Sequence, residues 1–151
     1  MREILFKAKR VDNGEWVEGF YYKMFETTYC FKEDYERKPV PEHHYILQER
    51  MTDWGLPNQM VQIEIDSETL CQFTGLCGKN GKKIWENDIL MAHLDESYPE
   101  DVTYETVEWG AAGWVAHEAN STDRQYLDEF DTEHFEVVGN IFDNKELLQE
   151  K

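Results

Sequence analysis

No run of about 18 apolar residues, the length a membrane-crossing helix needs, occurs anywhere in this chain. Internal repeats, low-complexity tracts and a recognisable interdomain linker are missing as well. The start, Met1-Arg2-Glu3-Ile4-Leu5-Phe6-Lys7, lacks the apolar segment and small-residue cleavage site of an export signal, which sets the expectation of a soluble, cytoplasmic protein. Cysteine is scarce and odd in number: Cys30, Cys71 and Cys77 fit reduced thiols better than a disulfide framework. Positive charge is thin beyond residue 50, because nine of the fifteen Lys and Arg lie in the first fifty residues, and the formal net charge is −17. Between Asp95 and Glu136 thirteen Asp or Glu face one basic residue, Arg124. Such a field repels phosphates, so direct nucleic-acid binding and attachment to anionic membranes are not expected.

What is present is bulk. The 151 residues match the size of one domain, and 40% apolar with 14% aromatic residues is enough to enclose a core. Glu3 to Arg10 alternates with the two-residue period of a strand, Asp12-Asn13-Gly14 offers a tight reversal, and Glu15 to Lys23 resumes. Residues 33–59, with Pro39, Pro41 and Pro57, read as a long irregular excursion, although Thr27 to Lys32 and Tyr45 to Gln48 could each form a short strand. Met60 to Ile65 alternates again, and Asp66-Ser67-Glu68-Thr69 predicts a cap for one helical turn over Thr69 to Phe73. Lys82 to Trp85 and Ile89 to Leu94 read as strands joined at Glu86-Asn87-Asp88. Val102 to Trp109 and Trp114 to His117 form a second hairpin, within an acidic region at about 95–133. Phe135 to Phe142 closes the set, and Asn144 is placed to cap a short terminal helix. No long 3.6-residue apolar stripe appears, so a mainly β or β-rich α+β domain is expected.

Several chemistries were open to the residue types. Gly75, Gly78 and Gly81 with Lys79, Lys82 and Lys83 superficially suggest a phosphate cradle, but the spacing matches neither G-x-x-x-x-G-K-[ST] nor G-x-G-x-x-G, and no helix follows. Asn80-Gly81 reads instead as a hairpin turn. Cys71 and Cys77 are separated by five residues with no second close pair, unlike zinc sites. His43 and His44 are adjacent and would point to opposite faces of a strand, while His93, His117 and His134 stand alone. Each histidine is expected to be hydrogen-bonded or solvated. With thirty-two acids a carboxylate pair within reach arises by chance, and no hydrolase, kinase, zinc-protease or calcium-loop signature is present. The expectation is therefore no catalytic, cofactor or metal residues.

Three blocks carry a resemblance. "ILFKAKRVDNGEWVEGF" (4–20), "IDSETLCQFTGLCGKNGKKIWENDIL" (65–90) and "VVGNIFDNKEL" (137–147) resemble, in the same order, the YopX family of phage and prophage proteins, covering a little over a third of the chain. Family members commonly carry Asp at the position of Gly78 and Gly at those of Asn87 and Cys71. Asn87 suits a turn that needs positive φ, and the absence of a carboxylate at Gly78 argues against catalysis there. Asp88-Ile89 also resembles the corner of SH3-like barrels, where a polar residue braces the turn. The resemblance implies a small SH3-like barrel core, a single domain over 1–151, a phage or prophage origin and no established activity. Trp16, Gly19, Phe73, Gly75, Ile84, Trp85, Ile89, Val138 and Ile141 are then core and turn positions. The expected role is a non-catalytic interaction module with a phage or host protein as partner, homo-oligomerisation being left open. An acidic mimic of nucleic acid that inhibits a host protein and a small metal-dependent hydrolase are the alternatives.

Overall fold

The computed structural model describes residues 2–93 and 97–149, and of Phe130 and Asp131 only the backbone. It is mainly β, with antiparallel pairing in each ladder described here. The chain divides into two compact units, Ile4–Leu70 and Cys71–Lys151 with Met1–Glu3. Among the described residues no helix is long and apolar enough to cross a membrane.

The first unit holds β1 (Phe6–Lys9), β2 (Trp16–Phe25), a helical turn α1 (Lys32–Arg37), β3 (Glu42–Arg50) and β4 (Gln59–Glu64). Gly14, at φ +72°, makes the β1–β2 reversal, and its N–H donates to the Arg10 carbonyl at 2.9 Å. The irregular excursion expected over 33–59 is instead organised around β3, which pairs with β2 on one side and β4 on the other, while no strand forms over Thr27 to Lys32, where Lys32 opens α1. Its prolines mislead because none interrupts a ladder: Pro39 and Pro41 precede β3, and Pro57 lies in the β3–β4 connection. Ala8 and Ile46 are fully buried and pack with Val17, Ile63 and Ile65. The strands press closely at Gly19, where a Cβ would stand 2.1 Å from the Leu47 carbonyl oxygen. The helical turn after β4 is a single 3-10 turn, Ser67–Thr69, with Asp66 Oδ1 accepting from the Glu68 N–H. It does not continue to Phe73, because Cys71 and Phe73 are buried at alternate positions of a strand.

The second unit contains β5 (Cys71–Cys77), β6 (Lys83–Trp85), β7 (Asp88–His93), β8 (Val102–Trp109), β9 (Trp114–Glu118), β10 (Gln125–Tyr126), α2 (Glu129–Thr132) and β11 (Glu136–Asn140). Five of these strands form a sheet in the order β10-β9-β8-β7-β11 around Ile84, Leu90, Val107 and Val137. Both expected reversals are present. Gly81 has φ +75° and Asn87 φ +68°, and the buried Asp88 accepts the Trp85 N–H on Oδ2 at 2.8 Å, bracing that corner. Phe73, Ile84, Trp85 and Ile89 are buried as expected, whereas at β11 the buried residue is Val137 and Val138 is half-buried. A bulge between Val137 and Gly139 shifts that register. Leu94, expected to end a strand, and Asp95 and Glu96 of the acidic region lie outside the described residues.

Two further expectations are not met. The SH3-like barrel is not found among the described residues. Closing a barrel takes a continuous staggered ladder. In the first unit one bridge, Arg10↔Ile65, ties the end of β1 to the end of β4. In the second, β10 spans only two residues and pairs with β9, leaving the five-stranded sheet open. The C-terminal helix is a 3-10 turn, Lys145–Leu148, which Asn144 does not cap with its side chain. Asn144 Oδ1 instead accepts from the Asn140 N–H at 3.2 Å, while Asn140 Oδ1 takes the N–H groups of Phe142 and Asp143.

Candidate functional site

Alternation along β2, β3 and β4 sends Tyr21, Ile46 and Ile63 to the core side and leaves a second face carrying Phe20, Tyr22, Met24, His43, Tyr45, Leu47, Met60, Gln62 and Glu64. That second face is open. Phe20, Met24 and Met60 are exposed, and Tyr22 stacks on Tyr45 with ring centroids 5.2 Å apart. The Tyr22 hydroxyl donates to Gln62 Oε1, and loss of solvent pushes its pKa above the usual phenol value. Past the end of the face, the β3–β4 connection presents Met51, Trp54 and Leu56 to solvent. Trp54 is 94% exposed, so the whole indole is free of packing. Trp54 was not singled out from the sequence, because exposure of a large ring is set by tertiary structure.

His43 and His44 do point to opposite faces. On the open face His43 lies between Glu26, at 3.3 Å, and Glu64, at 3.4 Å, and these carboxylates raise its pKa. On the core side His44 Nδ1 meets the Tyr21 hydroxyl at 2.7 Å, and its Nε2 lies 3.7 Å from Glu42. Glu42 also pairs with Lys23 at 3.1 Å, which lowers the carboxyl and raises the amine. Both histidines line a cavity of about 470 Å³ with Lys9, Arg10, Glu64 and Asp66. Of its charged side chains, Arg10 pairs with Asp12 at 2.7 Å and His43 with Glu64 at 3.4 Å.

The glycine-rich loop spends three of its backbone donors within the fold. The N–H groups of Gly78, Lys79 and Gly81 are taken by the carbonyls of Lys82, Phe135 and Gly78 at 2.8, 2.8 and 2.9 Å. Lys83 places its Nζ 5.3 Å from the Phe73 ring centroid. Cys71 is buried, with the Asn87 amide 3.7 Å from its sulfur, and Cys77 is exposed. His93 and His134 share a cavity of about 360 Å³ with Glu133 and Lys79, while His117 lies apart, 3.3 Å from Glu108. Among the described residues no three His, Cys, Asp or Glu side chains stand close enough to hold a metal ion. In the acidic region Glu108 is drawn below the usual carboxylate pKa by its hydrogen bond to Arg124 and by His117.

Two antiparallel β units, one with an open aromatic face, define a small β-rich protein. The YopX protein family model matches residues 5–149, and the chain belongs to that family. No curated protein matches it. Among solved structures it is similar to the crystal structure of protein EF1440 from Enterococcus faecalis, with a TM-score of 0.56 and 20% identity over 99% of this chain and 100% of that one. At that identity the likeness speaks for the fold alone.

Proposed function

We propose that this chain is a non-catalytic interaction module, encoded by a phage or prophage and acting in the cytoplasm of the bacterial host, with the first unit as its binding surface. The observation that carries the reading is the β3–β4 tip, where Met51, Trp54 and Leu56 are all exposed beside an open face of Phe20, Met24 and Met60. Exposed apolar groups cost solubility, and clusters of them mark surfaces that another molecule covers. Tryptophan is also the residue type most enriched among side chains that dominate binding energy. A photo-crosslinker at position 54 should capture a specific partner, and Trp54→Ala should lower affinity for that partner at least about tenfold. If Trp54→Ala leaves that affinity unchanged, the reading fails.

The acidic-mimic alternative draws on the charge of the second unit, with seven Lys and Arg against nineteen Asp and Glu. Salt separates the two. Binding through the aromatic surface should persist at about 0.5 M salt, whereas a phosphate mimic should release its partner there.

A further inference from the structure

The outer edge of β4 is an unpaired strand edge. The Ile65 N–H donates to the His44 carbonyl at 2.9 Å, so antiparallel alternation turns the backbone groups of Ile63 and Val61 toward β3 and those of Glu64, Gln62 and Met60 away from it. The Glu64 carbonyl is taken by the Val11 N–H at 3.1 Å, next to the Arg10↔Ile65 bridge. Beyond that bridge the edge runs through Gln62 and Met60, both exposed. Strand edges are usually guarded by lysine, proline or a bulge. The run Gln59-Met60-Val61-Gln62-Ile63 has no such guard, and its register with β3 is unbroken.

The two sides of this edge differ in chemistry. A cavity of about 350 Å³ opens beside Val11, Val61 and Ile63; Gln62 and Glu64 reach its lining, as do Arg50 and Arg10, the latter committed to Asp12. On the open side stand Met60, Gln62 and Glu64, with Glu49 registered opposite Met60. We infer that the β4 edge accepts an extended segment of a partner protein in which aliphatic residues alternate with Lys or Arg. A residue opposite Val61 would put an aliphatic side chain into the cavity, and one opposite Gln62 would put a cation diagonally beside Glu64. Charge argues for this occupant over a second copy: each chain carries −17, and a cationic strand is drawn toward the surface that repels another copy.

The inference rests on the interaction-module reading, yet Trp54 lies outside the β4 ladder, so the two can fail separately. A short synthetic peptide of alternating Lys and Val is added to the isotope-labelled full chain, with alternating Glu and Val as the control. Amide exchange is followed residue by residue at about 0.15 M salt. The expected result is that the Met60 and Gln62 amides, fast-exchanging in the free chain, slow at least about tenfold with the Lys-Val peptide and not with the control. Gln62→Pro, which removes an outward N–H, should abolish the effect. The wild-type exchange pattern stands as the readout should that variant misfold. Slowing confined to 102–118, or an unchanged exchange rate at Met60 and Gln62, overturns the inference. Protection of both amides without peptide in a dimer seen by sedimentation also overturns it, by assigning the edge to a second copy. Edge protection alongside an inert Trp54→Ala would sink the tip's role and leave the edge standing.

Discussion

The two units use apolar residues differently. Among the described residues eleven of the large exposed apolar side chains belong to Ile4–Leu70 and three, Tyr98, Trp109 and Tyr126, to the second unit. Charge runs the other way: the first unit has eight Lys and Arg against thirteen Asp and Glu, a net −5, and the rest of the chain has seven against nineteen, a net −12. The second unit keeps its large apolar groups inside a carboxylate-rich surface, which is how a protein stays solvated. The first gathers six of its eleven on one strand face (Phe20, Met24, Met60) and one hairpin tip (Met51, Trp54, Leu56) while its own core remains closed. An exposed patch beside an intact core is the pattern that supports the proposed binding surface.

Substitutions sharpen this contrast, beginning with the largest effect. Ile46→Ala, at the fully buried centre of the first unit, should cost about 3–4 kcal/mol in urea unfolding. Gly19→Ala should cost about 3 kcal/mol, since the added methyl meets a backbone oxygen that cannot step aside. In the second unit Asp88→Ala removes the acceptor of the Trp85 N–H and should cost about 2 kcal/mol, whereas Asp88→Asn keeps an oxygen there and should cost less. Trp54→Ala should change stability by less than about 0.5 kcal/mol while weakening partner binding. A large loss of stability at Trp54 would show that the ring is structural and would break the contrast.

The smallest effects concern pH, and they have opposite signs in the two units. His43 has a folded pKa raised by Glu26 and Glu64. Its stabilising contribution is complete below the unfolded value of about 6.5 and is lost as pH rises through the folded one. Glu108 has a folded pKa lowered by Arg124 and His117. Its contribution is present above the unfolded carboxylate value and is lost as pH falls through the folded one. Proton NMR titration of the His43 ring checks the first, since His43 should titrate higher than in a Glu26→Gln, Glu64→Gln double variant. Stability of Glu108→Gln relative to the parent checks the second: the difference should shrink under acid.

Local backbone chemistry was the legible part of the sequence. Asp12-Asn13-Gly14, Asn80-Gly81 and Asn87 announce their turns because positive φ selects Gly and Asn whatever surrounds them, and φ is positive at Gly14, Gly81 and Asn87. β3 was legible only in part, since its prolines lie beside it and its hold comes from β2 and β4, which are distant in sequence. The same holds for the open face: Tyr22, Tyr45 and Gln62 meet across three strands, so periodicity within any one of them cannot show the surface they make. The 3-10 turn at Lys145–Leu148 differs from the expected helix because Asn144 spends its side-chain oxygen on Asn140.

The most direct test is hydrogen exchange of the full chain with and without the partner captured through position 54. Protection concentrated in residues 45–62, spanning β3, the Trp54 tip and β4, is the result this account requires. Protection confined to the acidic hairpin at 102–118, with 45–62 unchanged, would contradict it and move the binding surface to the second unit.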